Sequence, residues 1–335
     1  VTLVPSAGAA GEKKRKVNLI LTRSRSGLLV DIEEVDMADM GSFSAHQRVR
    51  LTIGALNNHT DLVTMSQQVV EQVAQTTGHT RVMMYKFHED MHGEVIAECK
   101  SPEEEGSWLG LHFPATDLPQ RSRDQLAEEH VRLIADARAQ PAKIVTDATL
   151  DRLGGRDSVD LKGSTLRSPH RCHREYLANM DVRGTLVLAV LIKDHLWGLV
   201  VCHHPKSRSV SYQTRMACEF LAQALSMRLS SLMDMKVHSR HEHTLQLHAK
   251  LCEFMYKHGP SSRERLQGLV SYTPNLSHLF TGSGWGAVVF EGHVLPVIAD
   301  GQNAPKEEHL LKLYHILEQG KKEKVSAGAK TKDAK

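Results

Sequence analysis

Residues 163–180 read GSTLRSPHRCHREYLANM, and residues 184–204 read GTLVLAVLIKDHLWGLVVCHH. The second run decides the fold. Two apolar segments of strand length flank Lys193-Asp194, which marks a turn, so the run predicts a β-hairpin. The first run crowds arginine, histidine, cysteine and tyrosine into one short polar stretch. The hairpin itself ends on a second cluster, Cys202, His203 and His204. Polar reactive groups at the ends of apolar strands are how a scaffold lines a pocket.

Upstream, Thr80–Phe87 (TRVMMYKF) alternates and predicts a strand, with Glu94–Cys99 as its partner across His88–Gly93. Trp108–Pro119 reads as loop, and a helix is expected from about Gln120 to Arg138, carrying Leu126, Val131, Leu133 and Ile134. Residues 145–162 read as polar loop. Nearer the start, one long helix is expected over Ser44–Gln75, with Leu51, Ile53, Leu56, Leu62, Val63, Val69, Val70 and Val73 on its apolar face. Val17–Thr22 and Gly27–Val35 read as two short strands, too few to make a sheet alone. Residues 1–16 read as a disordered basic tail.

Downstream of the hairpin the pattern turns helical from Thr214 to about Lys257, without Gly or Pro. At 1.5 Å per residue that is a rod of ~65 Å. Leu221, Leu225, Leu229 and Leu232 form one stripe, suited either to a homodimer contact or to burial against the chain's own sheet. After Gly259-Pro260 a second, shorter α/β pattern begins, with Ala287–Phe290 and His293–Ile298 as a hairpin. It stops by Leu317, and the Lys-rich end reads as disordered. The fold class expected is α+β, an antiparallel sheet flanked by helices, with a long connecting helix and a partial second domain.

Composition narrows the function. A chain of 335 residues holds about two domains. The net charge of +3 makes no case for nucleic acid, and Lys13–Lys16 is a solvated run. Five cysteines, an odd number without CxxC spacing, argue for a reducing, cytoplasmic compartment. No apolar run reaches the ~20 residues of a membrane helix. With no initiating Met and no signal peptide, the chain reads as a fragment.

Cys172 is the group with the most evident chemistry. His170, Arg171 and His173 surround it with groups that lower a thiol's pKa. Three uses compete. A metal site drawing on His170, Cys172, His173, Cys202, His203 and His204 is disfavoured, because adjacent residues rarely chelate one ion and no HExxH or paired CxxC pattern appears. A Cys-His enzyme needs a base and an oxyanion hole, which the sequence does not display. Covalent capture of an electrophilic cofactor needs only the nucleophile and a pocket.

Pro169-His170-Arg171-Cys172-His173, followed by Tyr176 and Ala178-Asn179-Met180, resembles the bilin-attachment signature of plant and algal phytochromes. The resemblance runs with gaps from about Leu28 to about Val297. It is most specific in four blocks that stand in family order: residues 81–98, 109–119, 163–180 and 196–205. It implies a PAS remnant over 17–43, a bilin-binding GAF domain over 44–212, a connecting helix over 213–257 and a partial PHY domain over 258–317, with tails at 1–16 and 318–335. The implied function is red/far-red light reception by Z/E isomerisation of the bilin, with signalling partners unidentified and light-dependent nuclear entry a family trait. No kinase or other output module is visible.

By the same resemblance Cys172 forms a thioether to ring A of a linear tetrapyrrole, phytochromobilin or phycocyanobilin, with His170 flanking the attachment point. Asp117 turns its backbone carbonyl to the pyrrole nitrogens, and His173 holds the pyrrole water. His203 bonds the ring D carbonyl, and Tyr85 and Tyr176 enclose ring D. Arg132 and Arg167 clamp the propionates, and Thr185 adds a hydrogen bond. Taken alone these residues have plainer readings: Asp117 a turn former, Arg132 an exposed helix charge, the tyrosines core. Leu118, Arg171 and Leu126 depart from the family pattern. Most of the PAS domain and the PHY tongue fall outside the resemblance, so a wetter pocket and a quickly reverting photoproduct are expected. A non-photoactive GAF-type interaction or small-ligand module and a Cys-nucleophile enzyme stay open as alternatives.

Overall fold

The computed structural model describes residues 2–3, 15–24, 27–35, 42–145, 159–279, 286–290, 293–297 and 305–330. Strands β1 (Thr2–Leu3), β2 (Arg15–Ser24) and β3 (Gly27–Glu34) form an antiparallel ribbon ahead of helices α1 (Ser42–Leu56) and α2 (Leu62–Thr77). Next come β4 (Arg81–Phe87), β5 (Gly93–Lys100), β6 (His112–Phe113), α3 (Gln120–Glu129) and β7 (Val131–Ile134). The signature stretch supplies α4 (Arg171–Asn179), and the apolar hairpin supplies β8 (Gly184–Ile192) and β9 (His195–His204). Helix α5 (Tyr212–His258) follows, then α6 (Ser262–Ser271), β10 (Gly286–Phe290), β11 (His293–Val297) and α7 (Glu307–Lys330).

Six strands make one antiparallel sheet in the order β6-β5-β4-β9-β8-β7. Its centre is the predicted hairpin, closed by Lys193 and Asp194 with φ of 50° and 64°. Both lie in the left-handed region that a tight two-residue hairpin turn demands. Alternation divides the strands between two faces. Val82, Met84, Leu186, Leu188, Val190, Val200 and Cys202 bury against Met65, Val69, Val70 and Val73 of α2 and against Leu221, Leu225 and Leu229 of α5. Each such side chain stabilises the fold by about 1.5–3 kcal/mol. The opposite face carries Tyr85, Phe87, Val187, Ala189, Leu199 and Val201, with Leu126 of α3 over them.

Several expectations need correction. The helix expected over 44–75 is two helices: the chain breaks after Leu56, and Asp61 caps α2 by accepting the Thr64 amide at 2.8 Å. Leu51 and Val63 are exposed, while Val49 and Met65 take the core positions. The helix expected to Arg138 ends at Glu129, where His130 turns at φ 63°, and Val131–Ile134 pairs with β8. Arg132 is therefore a strand residue. The stripe Leu221, Leu225 and Leu229 lies in the chain's own core, with Leu232 packed against it, so it is not free for a dimer contact. Thr2–Leu3 pairs with β2 where a disordered tail was expected. The Lys-rich end is helical as far as Lys330. Of the polar loop expected over 145–162, residues 146–158 lie outside the described residues.

The chain divides into two compact units, Val1–Met233 and Asp234–Lys335. In the second, Leu247, Leu251 and Leu310 are buried, and Ser261 and Glu264 close a reciprocal capping box at the start of α6. Its hairpin β10–β11 falls where the sequence placed it. Among the described residues no helix is long and apolar enough to cross a membrane.

Candidate functional site

Helix α4 brings Cys172 to the site. Its N-cap is His170, whose Nδ1 accepts the Cys172 amide N–H at 3.3 Å, and Leu177 anchors the helix in a small cluster with Ile134, Ala137 and Val182. Cys172 is exposed. Of its expected positive neighbours, His170 serves as the helix cap and Arg171 pairs with Glu175 at 2.8 Å. The second cysteine of the sequence pattern behaves differently. Cys202 is fully buried on the helix side of the sheet, where burial pushes its thiol well up, helped by Cys218. The Cys202-His203-His204 cluster is thus split by strand alternation, and His203 falls on the other face.

His203 lies level with Thr185 on β8 and Arg81 on β4. It is buried, and desolvation, followed by the charges of Arg81 and His173, lowers its pKa to about 3, so it is neutral at physiological pH. Its Nδ1 has no protein partner, nor has the buried Thr185 Oγ1. Buried polar atoms in native structures are nearly always satisfied, so two on adjacent strands mark a place where something else binds. Trp108 meets the His203 ring edge-on at 5.8 Å and carries the Arg81 guanidinium over its own ring at 4.8 Å. Neither Trp108 nor Arg81 was singled out from sequence.

His173, one residue after the cysteine, stacks at 6.1 Å from Tyr176. Burial lowers its pKa, and the charge of Arg132 lowers it further. Tyr176 is pushed up by burial and by the carboxylate of Asp117. Tyr85 is raised to about 12 by burial, then by Tyr176 and Asp117. Tyr85, Tyr176 and Asp117 thus act on one another, as do His173, His203 and Arg132, and the His173–Tyr176 stack joins the two sets. Two unpredicted residues complete the first group. Phe113 lies 6.0 Å from the Tyr85 ring, and Gly93 lets that ring lie across β5, since a Cβ there would fall 1.7 Å from Tyr85 Cζ.

The arginines are brought together but held differently. Arg132 donates to the carbonyls of Arg167 at 2.7 Å and Thr165 at 3.4 Å, and burial, with Arg167 nearby, lowers its pKa to about 10. It therefore stays cationic at neutral pH. Arg167 is paired with Glu129 at 2.5 Å and donates to the Ser164 carbonyl at 2.8 Å. The loop between them is fixed by Asp31 of β3, which accepts from Ser164 Oγ and the Thr165 amide, both at 2.7 Å. The same ribbon is held to α5 by Glu33 and the buried Arg215 at 2.6 Å.

The GAF domain family model matches residues 61–232. Phytochrome 1 of Adiantum capillus-veneris is 38% identical over 284 residues, covering 79% of this chain and 24% of that protein. The chain thus spans about a quarter of the length of the curated relatives it matches. The chromophore-binding domain of Stigmatella aurantiaca bacteriophytochrome, solved in the Pr state, is 31% identical with a TM-score of 0.61, covering 66% of this chain and 72% of that one. The photosensory core module of the Stigmatella aurantiaca phytochrome is 28% identical with a TM-score of 0.73, covering 92% and 59%. The antiparallel GAF sheet, the helix bearing Cys172 and these likenesses agree: the chain belongs to the phytochrome family and carries its GAF domain.

Proposed function

We propose that this chain is the chromophore-bearing part of a red/far-red light receptor, holding a linear tetrapyrrole through a thioether to Cys172. The observation that carries the reading is the pair of unpartnered buried polar atoms, Thr185 Oγ1 and His203 Nδ1, level with each other on β8 and β9 on the sheet face turned away from α2 and α5. A face walled by Tyr85, Phe113, Val187 and Val201, with a cationic Arg132 at its rim, suits a flat conjugated molecule with acidic side chains. The tetrapyrrole, phytochromobilin or phycocyanobilin, supplies the visible absorption and the double bond whose Z/E isomerisation starts the signal.

The residues divide the work. Cys172, exposed in the first turn of its helix, is accessible to the incoming molecule. His203, neutral and buried, offers a hydrogen bond that water does not weaken. Tyr85 and Tyr176 stay protonated and can exchange donors around Asp117. Arg132 holds one propionate as it stands, and Arg167 takes a second by exchanging it for Glu129. We read the ribbon β2–β3 as the end of a PAS domain, the second unit as the opening of a PHY domain, and the setting as cytosolic.

The test is coexpression with bilin synthesis, followed by a denaturing gel read by zinc-induced bilin fluorescence. The wild-type chain and Cys202→Ala should carry a coloured, fluorescent band, and Cys172→Ala none. Equal covalent loading of the Cys172→Ala and Cys202→Ala variants would move the attachment point elsewhere.

A further inference from the structure

Away from the pocket, three imidazoles meet at the edge of the sheet. His88 and His92 belong to the tight β4–β5 connection, held by the Met91 amide on the His88 carbonyl and the His88 amide on the His92 carbonyl, both at 2.9 Å. His112 stands on the short edge strand β6, level with Glu94 of β5. The His88 and His92 rings are stacked 4.3 Å apart, and His112 lies 5.1 Å from His92 and 5.9 Å from His88. One ligand atom from each falls within 4.8 Å of the other two, the only such grouping of three His, Cys, Asp or Glu side chains among the described residues.

The outer nitrogens are already occupied. His88 Nε2 meets Glu94 Oε2 at 2.9 Å, and His92 Nδ1 meets Asp90 Oδ1 at 2.5 Å. A carboxylate on one ring nitrogen fixes the tautomer and raises the basicity of the other, the arrangement that metal-binding histidines use. The second nitrogen of each ring, His88 Nδ1 and His92 Nε2, is the one a metal ion would take. Imidazole donors favour zinc, copper, nickel or cobalt, whereas calcium and magnesium take oxygen ligands.

We infer that His88, His92 and His112 form a binding site for one divalent first-row transition-metal ion of the zinc type, with water completing the shell. Zinc holds nitrogens at about 2.0–2.1 Å, hence about 3.4 Å from one another in a tetrahedron. The three side chains therefore close by roughly an ångström on loading, which their partial exposure permits. The ion would tie β6 to the β4–β5 turn. Phe113 adjoins His112, so the tie would also steady the segment that runs past Tyr85 to Asp117. The inference concerns the bilin-free chain and stands apart from the reading of the pocket.

The experiment titrates Zn2+ into the full, bilin-free chain in the presence of a chelating indicator that masks scattered surface histidines. The wild type should bind one equivalent, and thermal unfolding should show Zn2+ raising its Tm. His112→Gln and His92→Gln should each lose that equivalent and the Tm shift while matching the wild type without metal. Asp90→Asn should bind about 10–100-fold more weakly. A chain in which Cys172 and Cys252, the exposed cysteines, are both replaced by alanine should keep the site. Unchanged stoichiometry and affinity in both histidine variants, or loss of the site with the two cysteines, would overturn the inference.

Discussion

On β8 and β9, Leu186, Leu188, Val200 and Cys202 face the helices and are completely buried, while Thr185, Val187, Val201 and His203 face the other way. The strands are the same, and only the parity of the residue number differs. One face is filled by α2 and α5 with contacts that are mostly apolar, Ser66 and Gln72 being buried polar residues of α2. The other holds a neutral imidazole and a hydroxyl without partners, and beside them a guanidinium bonded only to backbone carbonyls. Filling the first face maximises stability. The second forgoes some of it and keeps polar groups desolvated and unspent, as binding sites characteristically do.

The largest expected effect tests the packed face. Leu188→Ala should cost about 2–5 kcal/mol in urea unfolding, through lost burial and the cavity left behind. Val187→Ala, next along the chain on the open face, should cost less than half as much. Equal losses would break the distinction between the faces.

A smaller effect comes from pH. His203 titrates near 3 in the folded chain against the usual 6.5, so the unfolded chain binds the extra proton first. Its contribution is complete above about pH 6.5 and is lost as pH falls toward 3, with a slope of up to about 1.4 kcal/mol per pH unit. His203→Gln in the bilin-free chain should flatten the stability profile by that slope between pH 6 and 4. Cys202→Ala, on the packed face, should leave the slope alone. His79, also held to about 3 by burial and then by the charge of Arg208, and His173, lowered by burial, contribute to the slope that remains.

The smallest effect is the sharpest. Thr185→Val keeps the shape and removes an unsatisfied hydroxyl, so the bilin-free chain should gain about 1 kcal/mol. Chromophore loading of the same variant should fall. A loss of stability without bilin would mean that the hydroxyl is already satisfied and that the pocket face carries less strain than its two orphaned atoms imply.

The legible parts of this chain were those where one signal dominates. Two long apolar runs around a two-residue turn leave little choice but a hairpin, and the polar cluster around Cys172 stood out as the candidate site. The break at Leu56 was hidden because Leu56 and Leu62 both suit an apolar helix face, and a single Asp cap carries little weight against that pattern. Val131–Ile134 misled for a related reason: four residues are too few to show a strand period, and pairing with β8 decides them. The stripe of leucines on α5 was read correctly as a stripe, but periodicity does not say what covers it. Trp108, Phe113 and Gly93 escaped because their roles depend on strands that meet only in the fold. The three histidines at the sheet edge are scattered over 25 positions and match no spacing motif.

Asp31 holds Ser164 and Thr165 across sequence separations of 133 and 134 residues, and Glu33 reaches Arg215 across 182. Contacts so distant form only after long loops have closed, and closure is an entropic cost that comes before any reward. The anchoring of the Arg167 loop therefore costs far more chain closure than the local β8–β9 hairpin, and about as much as the pairing of β4 with β9. The arginine wall thus depends on a ribbon more than 130 residues away in sequence, while the hairpin beside it closes on its own two-residue turn.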